Sequence, residues 1–131
     1  VSQLNPDRTL GRRWATVIAA AQRHRRGGVN PMELWPIHER RLVAGQLEGP
    51  IIYLAIGHQV AQYTGQTHDP MQVRLNRHLL EDAKARTWSH MACILLDPKT
   101  PARVVGNLEN RADAIMQPLM GSRTPRRRNA G

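Results

Sequence analysis

Six arginines, Arg8, Arg12, Arg13, Arg23, Arg25 and Arg26, stand within the nineteen residues RTLGRRWATVIAAAQRHRR, a stretch that contains no acid. A guanidinium is a planar fork that grips a phosphate through paired hydrogen bonds, and it loses less on dehydration than an ammonium. The chemistry on offer is therefore binding of a polyanion rather than bond making or breaking. On a helix, Arg8, Arg12, Arg23 and Arg26 share one side, while Leu10, Trp14, Val17, Ile18 and Ala21 gather on the other. Ala15 and Ala19 lie among the arginines and keep that side shallow, so phosphates can approach the helix axis. A merely solvated face would interleave acids at helical spacing. Further cations follow at Arg40 and Arg41, at Arg74, Arg77 and Lys84, and at Arg123, Arg126, Arg127 and Arg128.

Residues able to catalyse look scattered by comparison. His38-Glu39 lacks the second histidine of a zinc-protease helix, and His58, His68 and His78 recur every ten residues, which does not place them on one helical turn. Ser89 and His90 are sequence neighbours, which a helix points apart. The acids, Glu109 and Asp113 among them, form no metal-ligand spacing. The expectation is a protein that is not an enzyme and needs neither cofactor nor metal.

Composition fits a polyanion partner. The 131 residues carry a formal charge of +9, and seventeen of the nineteen cations are arginine. A GC-rich coding bias would also write arginine for lysine, but it leaves the excess charge unexplained. The length suits one domain with a modest core. The lone Cys93 excludes an internal disulfide and reads as a small buried apolar residue. The longest apolar run, IIYLAIGHQVAQY, is too short to span a bilayer. The first residues lack a signal-peptide apolar region, and Val1 is compatible with removal of an initiator methionine. With no Phe, two Tyr and three Trp, the chain is poor in the stacking platforms that single-strand binders use. Duplex backbone binding without base readout is the expectation. At roughly one charge per 1.7 Å of duplex, nine excess charges neutralise only about 15 Å of axis, so coverage takes many copies side by side.

The elements that must position these residues read as helices. Proline follows Asn30, Gly49, Asp69 and Thr100, positions suited to a first helical turn. Helices are predicted over residues 9–26, 37–47, 50–64, 70–96 and 101–117, with no convincing alternating strand. Met71, Leu75, Leu79, Ala83, Met91 and Leu95 form one core stripe, and Val104, Leu108, Ala112, Ile115 and Leu119 another. The fold class expected is all-α: a bundle of four to five helices, organised as a basic arm and helix over 1–30, a helical bundle over 31–120 and an Arg-rich tail over 121–131.

In layout the chain resembles the major coat proteins of rod-shaped and filamentous archaeal double-stranded DNA viruses. The likeness lies in RTLGRRWAT entering the first helix, the Gly49-Pro50 turn before YLAIGHQVAQ, the DPKTPARVV link and the ending LMGSRTP. The resemblance implies a viral nucleocapsid protein of the virion, assembling in the host cytoplasm. Its helical subunits would wrap double-stranded DNA, held in the A form, as homodimers or as heterodimers with a related coat protein, with possible contact to an outer envelope. The alternative is a small helical subunit of a ribonucleoprotein complex of the RNA-guided, CRISPR type, lining the nucleic-acid path. The arginines named above, from Arg8 to Arg128, are the expected nucleic-acid contacts in either case.

Overall fold

The computed structural model describes residues 3–38 and 47–120. The chain forms a mixed α/β structure: helix α1 (Thr9–Ala20), strands β1 (Trp35–Pro36), β2 (Ile51–Gly57) and β3 (Val60–Thr67), helices α2 (Met71–His78) and α3 (Asp82–Thr87), strand β4 (His90–Leu95) and helix α4 (Ala102–Met116). The strands make one antiparallel sheet in the order β1-β4-β2-β3. The all-α bundle is therefore corrected to an α/β fold.

The reason lies in the central strands. Every residue of Ile51–Gly57 is buried. Alternate residues face opposite sides of a pleated sheet, and here both sides are covered. Ile52, Leu54 and Ile56 join Ala92 and Ile94 in one core with Trp14 and Val17 of α1 and Val105, Leu108 and Ala112 of α4. Ile51, Tyr53 and Ala55 join Met91, Cys93 and Leu95 in a second core with Met71 and Leu75 of α2 and with Trp88. A strand buried on both faces reads as a continuous apolar run, which periodicity alone does not separate from a buried helix.

The helix expected over 50–64 is instead the β2–β3 hairpin. Its turn residues His58 and Gln59 have φ of 53° and 65°, the left-handed conformation that hairpin turns require and that Asn-Gly usually signals. The long helix expected over 70–96 is three elements. It breaks after Leu79, resumes briefly as α3, and ends where the expected apolar stripe has its gap, at Thr87. The segment that follows, HMACIL, pairs with β2 as a central strand.

The outer helices follow the sequence pattern more closely. Trp14, Val17 and Ala21 are buried, and the Trp14 indole N–H donates to the Pro31 carbonyl at 2.8 Å. The expected first helix nevertheless stops at Ala20 rather than Arg26. Helix α4 begins after Pro101 and ends at a left-handed Gln117. Its buried face carries Glu109 and Asp113 beside Val105, Leu108 and Ala112. Leu119, expected in the core, is 72% exposed. The helix expected over 37–47 falls mostly on residues 39–46, outside the described residues.

Candidate active site

Strand β3 lies at the end of the sheet, where unpaired backbone groups need cover. The Leu119 and Met120 amides donate to the Ala61 and Gln62 carbonyls at 3.1 and 2.8 Å and close one end of this edge. Toward its other end lies a cleft of about 300 Å³, lined by Tyr63, Gly65, Gln66, Thr67, His68, Asp69, Arg74 and Glu109.

Four elements deliver polar side chains to the cleft and to the layer of side chains behind it. Tyr53 of β2 sits directly opposite Gly65 of β3 in the sheet register. A Cβ on Gly65 would lie 2.6 Å from the Tyr53 hydroxyl, so the phenol passes over the glycine through space no side chain can share. Arg74 and His78 are four residues apart on α2 and so share a face. The Tyr53 hydroxyl lies 2.7 Å from His78 Nε2 and accepts a longer hydrogen bond, 3.5 Å, from Arg74 Nε. Lys84 of α3 reaches His78 Nδ1 at 2.9 Å and Glu81 at 2.8 Å, with its ammonium 4.9 Å from the centre of the Tyr63 ring. Tyr63, His78 and Trp88 pack ring against ring, with centroids 4.9 to 5.5 Å apart.

The opposite wall belongs to α4. Glu109 is 3% exposed and accepts a hydrogen bond from the Gln66 side chain at 3.2 Å. One turn on, Asp113 accepts from the Thr64 hydroxyl at 3.1 Å. These two bonds fasten α4 to β3 and hold a buried carboxylate at the cleft.

Electrostatics set the protonation states. Burial, reinforced by the Lys84 and Arg74 charges, pulls the His78 imidazole down to about 4, so it is neutral at pH 7. Burial also drives the Tyr53 phenol above its ordinary value, although the Arg74 hydrogen bond opposes this. That same bond to Tyr53 raises the guanidinium of Arg74 and outweighs its partial burial. At neutral pH the cleft therefore holds a fixed cation, backed by a buried neutral imidazole and a buried un-ionised phenol.

The His78 shift has a consequence for stability. The unfolded chain takes up a proton near the ordinary imidazole value of 6.5, while the folded chain does so only near 4. Stability from this site is full above pH 6.5 and is lost as pH falls toward 4, by on the order of 2 to 3 kcal/mol. In urea unfolding, a His78→Gln variant should lose the part of the pH dependence that lies between 6.5 and 4.

Among the described residues no three His, Cys, Asp or Glu side chains are grouped to cage a metal ion. Of the carboxylates on the cleft, Glu109 is the buried one. Asp69, also on the cleft, faces Arg77 at 3.6 Å.

No protein-family model, curated protein or solved structure matches this chain.

Of the arginines expected to touch nucleic acid, Arg8, Arg12 and Arg13 are exposed on or beside α1, and Arg12 is turned back toward the Asp7 carbonyl and Thr9. Arg23 is exposed beyond the helix end. Arg25 is half-buried and bridges to Leu96. Arg26 is a tie within the fold, its guanidinium donating to the carbonyls of Leu96 and Glu48. Arg74 stands in the cleft, and Arg77 is exposed beside Asp69. Arg40, Arg41, Arg123, Arg126, Arg127 and Arg128 lie outside the described residues. Cys93 is fully buried, and burial pushes its thiol up to about 12. No described helix is long and apolar enough to cross a membrane.

Tyr53, Tyr63, Gly65, His78 and Glu109 escaped the reading of the sequence as site residues. Two signals were present. An isolated glycine between Tyr63-Thr64 and Gln66-Thr67 fits a strand approached closely by another group, and Arg74 and His78 have the spacing of one helix face. Glu109 had no such signal, because only the packing of α4 on β3 brings it to the cleft.

Proposed function

We propose that this protein hydrolyses phosphodiester bonds in nucleic acid at the cleft beside β3. The observation that carries the reading is the convergence of Arg74 and the buried Glu109 on one cavity, with the Tyr53–His78 pair packed behind Arg74, in a chain of net charge +9. In this reading the Arg74 guanidinium holds the non-bridging phosphate oxygens. Glu109 is the residue that would hold a hydrated divalent cation, which would supply charge stabilisation at the phosphate. Water adds to phosphorus, one P–O ester bond breaks, and the departing oxygen leaves with a proton. The exposed, acid-free face of α1 supplies sequence-independent attraction for the polymer.

The test is incubation of the purified protein with circular and linear duplex DNA and with single-stranded DNA and RNA, with magnesium or manganese and with chelator. Cation-dependent strand cleavage is the expected result. Intact nucleic acid under every condition would overturn the proposal.

A second reading is favoured by that same α1 face: packaging of duplex DNA without cleavage, as a coat subunit. It predicts filaments on linear duplex in electron micrographs with the DNA intact. In both readings, replacing Arg8, Arg12 and Arg13 by Ala should weaken binding to all sequences alike. It should also lower the slope of log K against log salt by about 2 to 3. Loss confined to one sequence would instead point to base readout.

A further inference from the structure

The tip of the β2–β3 hairpin and the start of α1 border a groove at the opposite end of β3 from the cleft with Arg74. One half, a cavity of about 760 Å³, has Arg8, Leu10, Leu34, His58 and His90 on its walls. The other half, of about 270 Å³, has Arg13, Val60 and Leu119. Thr9, Leu10 and Gln59 line both halves, so the two adjoin. Arg8, Arg13, His58, Val60 and Leu119 are exposed and Leu10, Leu34 and His90 half-buried, so a ligand in the groove meets each of them directly. Among the described residues no carboxylate lines either half. We infer that this groove holds a single-stranded segment of nucleic acid, its phosphates on Arg8 and Arg13 and its unpaired bases on His58 and the aliphatic floor.

Two kinds of wall select this occupant. A guanidinium grips phosphate, whereas an imidazole ring offers a face on which an unpaired base stacks. The left-handed turn, with φ of 53° at His58 and 65° at Gln59, sets both side chains of the hairpin tip on the lining of the groove. A second ring, His90, is tethered beside it: Nδ1 lies 3.0 Å from the Ser89 oxygen, and the Ser89 hydroxyl donates to the Ile56 carbonyl at 3.2 Å. Val60 and Leu119 are large apolar side chains left open to solvent, and flat bases would cover them. A duplex keeps its bases stacked inside and presents chiefly phosphate, so it would use the two arginines and leave the floor bare. An acidic peptide matches the charge but brings no flat rings to His58 and His90. A partner that alternates anionic groups with flat apolar ones uses the whole groove.

The inference rests on the nucleic-acid part of the phosphodiester reading but not on cleavage. Its test is fluorescence anisotropy with chelator present, using labelled oligothymidylate, an abasic deoxyribose-phosphate strand of the same length and a duplex of the same charge. Oligothymidylate should bind the full chain about 10-fold more tightly than the abasic strand, the effect of stacking one or two bases. His58→Asn keeps a residue that tolerates the left-handed turn and removes the ring, and Leu119→Ser removes exposed floor. Each should weaken oligothymidylate binding by roughly 5- to 10-fold and leave the abasic strand unaffected, which also shows that the variant is folded. Arg8→Ala and Arg13→Ala should weaken both strands alike. Equal wild-type affinity for the abasic strand and oligothymidylate, or equal losses on both in His58→Asn and Leu119→Ser, would overturn the inference and leave backbone binding in place. Displacement of oligothymidylate by polyglutamate of equal charge would assign the groove to an acidic peptide, and a dimer that persists when the strand is bound would assign it to a second copy; either outcome overturns it. Failure of the wild type to bind any of the nucleic acids would remove the phosphodiester reading as well.

Discussion

Replacing Arg74 by Ala or Glu109 by Gln should each lower the rate of nucleic-acid cleavage by about 10²- to 10³-fold, the usual cost of removing one preorganised charge-stabilising group. Far-ultraviolet circular dichroism and the urea midpoint should stay close to wild type. The two substitutions act at different points. Arg74→Ala removes the cation of the cleft and also the hydrogen bond that Arg74 donates to the Tyr53 oxygen. Arg74→Lys keeps charge without the planar fork, so it should recover only part of the rate. Glu109→Gln keeps an oxygen to accept the Gln66 hydrogen bond, which ties β3 to α4, so the fold survives. What it removes is the negative charge that holds a cation. More divalent metal should therefore rescue Glu109→Gln poorly and Arg74→Ala not at all. Cleavage at the wild-type rate by either variant, measured by release of labelled oligonucleotide, would sink the assignment of that residue.

The second large effect is expected at Gly65, which tests the geometry independently of any activity. A methyl group at this position would sit 2.6 Å from the Tyr53 hydroxyl oxygen, 2.7 Å from Cζ and 3.0 Å from Cε2 of Tyr63. Tyr53 is fully buried and is held by His78, so the phenol has no free space into which to retreat. Overpacking of this kind costs about 1 to 3 kcal/mol. Gly65→Ala should lower Tm by several degrees and push Tyr53 off His78, abolishing cleavage. Because the collision is with the hydroxyl first, adding Tyr53→Phe should restore part of the lost stability although it cannot restore the site. A Gly65→Ala protein as stable as wild type would show that Tyr53 does not cross this glycine.

The two variants probe one design: a strand pair that carries aromatic and small residues face to face, flanked by helices that contribute one charged side chain each. Arg74 and His78 arrive from α2, Lys84 from α3 and Glu109 from α4. Helices α2 and α3 meet through the Lys84–His78 contact, while α4 reaches the cleft separately, fastened to β3. Strand β3 is the common reference, because Gly65 admits Tyr53 from one side and Gln66 fastens Glu109 from the other.

Much of the periphery was legible in the residues themselves. The charge of +9, the acid-free cationic side of α1, its buried Trp14 and Val17, the start of α4 after Pro101 and the buried Cys93 all follow from local pattern or composition. Such features depend on a residue's neighbours within one or two turns, and periodicity reports those. The centre was not legible. Residues 51–56 are apolar on both faces because both faces are covered, so the alternation that marks a strand is missing. The turn at His58-Gln59 takes a left-handed conformation without the Asn or Gly that would announce it. Read as helices, these segments suggested a coat-like bundle and left Tyr53, Tyr63 and Gly65 without a role. Only the pairing of β2 with β3 sets Tyr53 against Gly65, and only the docking of α2, α3 and α4 on the two faces of that sheet gathers Arg74, His78, Lys84 and Glu109. Pairing and docking are long-range contacts, selected by the joint burial of surfaces far apart in the chain. The amino-acid sequence by itself determined a chain of strong positive charge, and tertiary structure decided that one of its arginines stands in a cleft with a buried carboxylate, in front of a buried phenol and imidazole.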